Sequence, residues 1–365
     1  MGQSRTPQPW LTLLGGLALL AVAVPVAAQG GSPAASTDPA ANAGSLSWQK
    51  ATLPDATWSA PTYLGSIALD ADGAMTMVAR PQRPTDPSMN AWRSSDGLTW
   101  KSVRPADGEQ KQQAWAWSGV GTAGGQFVAI GVGGTTFFSD TGAKWKMTKQ
   151  GIQGARPGVV ISTPTGVAVA GSGPAGEAVW TTTDGKAWSQ APFPEGVLPI
   201  STMAATPSGL LAAASWSTPE LWLAPDGATW QSVPLPFEDA SSRNQVLTGT
   251  DGGLLLAVAQ VDENGVPVSA TIWSSVDGLS WQQVRSVDSP VTASSFGPLG
   301  VVMATRTDLL TSADEGATWT QSPLPAELAG SVVTVLAQTL DGRLLAGSLG
   351  PAEGEVAMSV GTPNP

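Results

Sequence analysis

The sequence predicts an all-β ring of seven four-stranded antiparallel blades, a seven-bladed β-propeller. Three observations lead there: an acidic turn closing in Gly-x-x-Trp that returns six times, an apolar strand–turn–strand element that returns seven times, and a stray outer strand ahead of the first unit. Composition agrees. Only 12% of the 365 residues are charged, while 43 glycines, 30 prolines and 16 tryptophans punctuate segments rich in Val, Leu and Ile, as expected of sheet with many tight turns.

In chain order the first element is a leader. Residues Trp10 to Ala28 carry no charge, and Val26 and Ala28 put small side chains at the −3 and −1 positions for cleavage before Gln29. Residues 1–28 therefore read as a secretory signal peptide, with an uncleaved membrane anchor as the alternative. Residues 29–45, built from Ala, Gly, Ser, Pro, Thr and Asn with one aspartate, read as a flexible linker with little apolar surface to offset ordering entropy. The propeller is expected over 46–360 and a short tail over 361–365.

The repeat is organised by Trp100, Trp145, Trp188, Trp230, Trp281 and Trp319, spaced 45, 43, 42, 51 and 38 residues apart. Their turns read SSDGLTW, SDTGAKW, TTDGKAW, APDGATW, SVDGLSW and SADEGATW. Gly97, Gly142, Gly185, Gly227, Gly278 and Gly316 each stand three places before the tryptophan. Asp96, Asp184, Asp226 and Asp277 directly precede their glycine; Asp140 and Asp314 stand one place earlier. Asp-Gly between apolar strands predicts a type I′ hairpin turn, in which both central residues have positive φ. The tryptophan, leaving the turn on the fourth strand, is expected to pack between blades.

Midway through each unit stands the second element, from ALDADGAMTMVA to TLDGRLLAGSL. The seventh copy is followed by EVAMSV, a third strand with no fourth behind it. LSWQKATLP around Trp48 supplies that strand, because it matches TWQSVPLP and TWTQSPLP. Residues 46–53 are thus expected to complete the final sheet, which removes an open edge and ties the ring shut.

SADEGATW resembles the Asp-box, or bacterial neuraminidase repeat, at Ser312, Asp314, Gly316, Thr318 and Trp319; the other five turns are shorter or degenerate members. The resemblance implies a propeller and raises a sialidase activity for testing. Sialidases use three arginines, a Tyr-Glu nucleophilic pair and an aspartate acid/base. The single tyrosine, Tyr63, sits in an apolar strand, and no early Arg-Ile-Pro segment is present; Arg156, Arg243 and Arg306 are the nearest to a convergent set. A glycoside hydrolase working with two carboxylates would draw on Glu109, Glu177, Glu220, Asp262 and Glu263, among which no pair stands out by sequence.

Composition narrows the remaining classes. A formal charge of −11, without a basic run, opposes nucleic-acid binding. Absence of cysteine and histidine removes the thiolate nucleophile and the commonest zinc ligand, so neither cofactor nor metal is expected. The acidic and glycine turns leave on one face of the ring; the opposite face carries unlike loops such as RPADGEQKQQAW and LPFEDASSRNQ. Unlike loops on a repetitive frame are where binding sites are commonly built. Trp115, Trp117 and Trp216 lie on or next to that face outside the repeating slot, and Arg104, Arg156 and Arg243 add multidentate donors. The expected function is an exported, monomeric, non-catalytic scaffold that binds an envelope or extracellular protein, or a glycan, with membrane contact only through an uncleaved leader.

Overall fold

In a computed structural model, the described residues are 22–23, 46–53, 62–81, 91–103, 117–148, 151–206, 209–214, 220–235, 237, 245–349 and 356–364. They form seven antiparallel blades of four strands each, the seven-bladed propeller expected from the repeat. The first blade runs Thr62–Leu69, Met75–Pro81, Ala91–Ser94 and Lys101–Ser102, and the third Arg156–Thr163, Gly166–Gly173, Gly176–Thr182 and Ser189–Pro192. The fourth runs Ile200–Thr206, Gly209–Ala214, Glu220–Ala224 and Gln231–Val233. The inner strands touch in chain order around the axis, and Val332–Gln338 of the last blade lies against Thr62–Leu69 of the first.

Closure follows the expected exchange. Leu46–Lys50 pairs antiparallel with Val356–Pro363, placing Trp48 opposite Gly361. The last strand runs to Pro363, three residues past the expected boundary, because Leu46, Ser47 and Trp48 reach back to Pro363, Thr362 and Gly361. Gly361 is there for space: a Cβ on it would stand 3.0 Å from the Trp48 ring and from Leu46. Beyond this strand the chain crosses to the first blade, where Thr52 N–H donates to Leu98 C=O and Trp100 N–H donates to Thr52 C=O. Arg343 completes the seam, paired with Asp341 at 2.9 Å and donating through Nη1 to the Asp96 carbonyl. Val22–Ala23, within the expected leader, lies parallel to the inner strand Val291–Gly297, opposite Ser295 and Phe296. The rest of 1–45 lies outside the described residues.

The core sits between blades. Trp100 packs with Val335, Leu345 and Met358 of the last blade, Trp145 with Phe127 and Val78, and Trp230 with Val179 and Phe193. Trp188, Trp281, Trp319 and Trp48 fill the matching positions at the other four junctions. Each ring thus packs against the blade before its own. Neighbouring inner strands run in the same direction and have no backbone ladder, so side chains link them. Ser66 Oγ accepts Val120 N–H at 2.7 Å, Ser162 Oγ accepts Thr122 N–H at 3.1 Å, and Thr248 Oγ1 donates to Ser294 Oγ at 2.6 Å. Gln338 Oε1 accepts Leu299 N–H at 2.8 Å while its Nε2 donates to Ser295 Oγ at 3.2 Å.

The acidic turns differ from the expected type I′. Five of their glycines have φ of +69° to +74° and Gly316 has +96°, but the preceding aspartates do not have positive φ: Glu315 is the one non-glycine with positive φ among the described residues. The aspartate serves as an acceptor instead. Asp96 Oδ1 takes Leu98 and Thr99 N–H at 2.9 and 2.8 Å, and Asp277 Oδ1 takes Leu279 and Ser280 N–H at 2.8 Å each. The serine or threonine two places before it takes the glycine amide, as Ser94 does from Gly97 at 2.9 Å. In the one-residue-longer turn, Asp314 still caps Thr318 N–H because Glu315 absorbs the insertion in the left-handed region. Asp140 does not cap: in a turn of ordinary length it is one place early, so Thr141 holds the capping position and Asp140 pairs with Gln126.

Candidate binding face

Antiparallel strand order sends the glycine and acidic turns to one face and the second-to-third-strand loops and inter-blade links to the other. The two faces differ chemically. On the turn face, aspartates are consumed by backbone amides. Thr229 and Ala228 N–H groups, with the Thr229 hydroxyl, hold the Asp226 carboxyl down to about 2. Ala187 and then Lys186 N–H groups lower Asp184 in the same way. Carboxylates committed to turn geometry are poor general acids.

Of the residues expected on the loop-rich face, two are described. Arg156 is exposed at the head of the third inner strand and makes no ion pair among the described residues. Trp117 is only 5% exposed, with its ring centre 4.7 Å from Trp145 and 5.4 Å from Phe137. It is a core contact between the first two blades. Trp115, Trp216, Arg104 and Arg243 lie outside the described residues, as does Glu109. Tyr63 lies in the innermost strand opposite Arg80. Arg306 is exposed in the sixth blade, three blades from Arg156, so these two do not converge. Asp262 caps a hairpin by accepting Asn264 and Val266 N–H at 2.9 and 2.8 Å, with Val266 chiefly lowering its pKa.

Glu177 and Glu220 both stand on strand faces turned toward the junction of the third and fourth blades. Glu177 stands at the loop end of the third blade, where its Oε1 accepts the Ser172 hydroxyl; its Oε2 is buried without a partner among the described residues. Glu220 stands at the loop end of the fourth blade, where Oε2 accepts the Trp222 indole N–H at 3.0 Å. At the same junction Phe193 meets Trp222 edge-on at 6.0 Å and stacks on Trp230 at 4.4 Å. Sequence reading offered both glutamates but not Ser172, Phe193 or Trp222, since which strand faces meet depends on register. Among the described residues no group of three acidic side chains is placed to hold a metal ion.

This architecture defines the chain as a seven-bladed β-propeller. No family model matches the sequence, and a search of curated proteins finds no match. Solved structures do resemble it. YCF48 bound to D1 peptide is 17% identical, with a TM-score of 0.60 over 87% of this chain and 96% of that one. YCF48 from Cyanidioschyzon merolae is 15% identical with a TM-score of 0.58 over 86% and 98%. A streptogramin B lyase is 10% identical with a TM-score of 0.60, covering 90% of this chain and all of that one. At such identities the likeness carries the fold alone.

Proposed function

We propose that this chain is an exported, monomeric propeller of the Asp-box type that docks a polypeptide on its loop-rich face and performs no chemistry. The observation that carries this reading is Arg156, exposed at the loop-rich end of the third blade, while the opposite face commits Asp96, Asp184, Asp226 and Asp277 to backbone amides. The comparison with YCF48 bound to D1 peptide supports a peptide over a glycan. Glu177, Ser172, Trp222 and Arg156 are the described residues assigned to contact. Arg104, Arg243, Trp115 and Trp216, outside the described residues, are assigned to contact from the sequence alone. The leader is read as cleaved before Gln29.

The test is capture of envelope proteins by the chain beginning at Gln29, compared with a variant carrying R156E. A partner retained by the first and lost by the second supports docking; glycan binding without protein capture, or hydrolysis of aryl glycosides, replaces it. Fractionation with N-terminal sequencing checks export and the cleavage point.

A further inference from the structure

We infer that the axial channel of the ring binds an extended, uncharged stretch of a partner polypeptide, built of small aliphatic residues and held as a strand on the inner edge of Val291–Gly297. The inference rests on the docking role above and names the part of the partner that is gripped.

The place is fixed by what surrounds Val22–Ala23. This segment pairs with Val291–Gly297 of the sixth blade. It also lies within 8 Å, Cα to Cα, of the inner strands Thr62–Leu69, Arg156–Thr163 and Gln245–Gly249 of the first, third and fifth blades. Only a position on the axis is close to strands from four blades spread around the ring. Paired strands stand about 4.8 Å apart, so a bore this close on several sides has room for one extended chain.

Backbone groups supply the grip. Among the described residues the inner strand ends its sheet in six blades, with its edge toward the axis; in the sixth blade Val22–Ala23 adds a further strand. Strand addition to such an edge binds through main-chain hydrogen bonds, and side chains then set the selection. Across the seven inner strands Arg156 is the only Lys, Arg, Asp or Glu, and it stands at the loop-rich mouth. A charge carried further into the bore would be buried without a counter-charge, which is costly. The residues seated there, valine and alanine, are small and uncharged.

Direction agrees with connectivity. Inner strands run from the loop-rich face to the turn face, and the parallel segment runs with them, so Ala23 leads toward the turn face. Leu46, opposite Pro363 at the turn end of the last blade's third strand, starts on that same face. The leader therefore fills the bore of the uncleaved chain, and its removal before Gln29 clears the bore for a partner strand.

The experiment uses the full chain, the chain beginning at Gln29, which keeps every blade strand, and a labelled peptide carrying LLAVAV, residues 19–24, between Gly-Ser ends. Binding is read by fluorescence anisotropy. LLAVAV is expected to bind the chain beginning at Gln29. Its V22D form, and a form N-methylated at Val22 and Ala23, are expected to bind at least about 10-fold more weakly. Because the chain has no cysteine, V22C/S295C reports the placement in the full chain. A disulfide is expected there and not in V22C/T320C, whose second site lies on the sixth blade's outer strand. Oxidised V22C/S295C is expected to refuse LLAVAV, with an unchanged melting temperature of the reduced protein as the folding control. Equal binding of LLAVAV and either altered peptide, full binding to oxidised V22C/S295C, or no preference between the two cysteine pairs overturns the channel site. Envelope-protein capture that saturating LLAVAV does not displace overturns it and leaves docking on the loops standing. LLAVAV binding with no protein captured supports the site and removes the docking role. A chain that keeps residues 1–28 after export overturns the partner site in favour of a permanent internal plug.

Discussion

At the scale of single residues, the acidic turn is a capping device. Its aspartate accepts two successive amides, and its serine or threonine accepts the glycine amide. The second blade lacks the first part of this device, because Asp140 stands one place early and Thr141 reaches Ala143 N–H only at 3.4 Å. Thr141→Asp is therefore expected to stabilise the fold by about 1 kcal/mol, the net worth of a good hydrogen bond, read as a raised urea midpoint. Acid should undo the existing caps. Asp226 has a folded pKa of about 2, below its ordinary value of 3.8, so its stabilising effect is complete above that ordinary value and is lost as pH falls toward 2. Melting temperature should hold level from pH 7 to 5 and fall below 4, and D226N, which does not titrate, should fall less. The aspartates, glycines and tryptophans were legible because they recur in register. The shifted role at Asp140 was not, since a one-place offset looks alike in SDTGAKW and SADEGATW until backbone length is seen.

At the scale of elements, the seam between Leu46–Lys50 and Val356–Pro363 determines whether there is a ring or an arc. Trp48 is half-buried against the junction of the last two blades. Trp48→Ala is expected to cost about 3 kcal/mol, toward the lower end for a large aromatic because the ring is not fully enclosed. Removing residues 1–53 should expose the edge of Val356–Pro363 and drive association, visible on size exclusion, and a synthetic LSWQKATLP peptide should reverse it. This exchange was legible because LSWQKATLP repeats the grammar of the other outer strands. The hydroxyl links between inner strands were not, since serine in an apolar strand carries no mark of its partner. Ser66→Ala tests them: it leaves Val120 N–H unpaired in the core, with an expected loss of about 1–3 kcal/mol by denaturant unfolding.

At the scale of the whole molecule, seven junctions each hold a tryptophan, and the inner strands form a circuit without a free end. Loss of closure should therefore be felt at a distance. In Trp48→Ala, amide exchange is expected to quicken in the fourth blade's inner strand Ile200–Thr206, across the axis from the lesion, as well as beside it. Acceleration confined to the sixth and seventh blades would show that the junctions act independently. Fold and count of blades were legible at this scale from period alone. The packing at the junction of the third and fourth blades was not, because Phe193 and Trp222 are 29 positions apart and touch only when two sheets present opposing faces. The swapped outer strand also has a consequence in time. Leu46–Lys50 is among the first parts of the propeller to leave the ribosome, and its hydrogen-bonding mate is the last. Throughout translation the nascent chain carries an unmatched ribbon, and completion rather than any intermediate length licenses the native state.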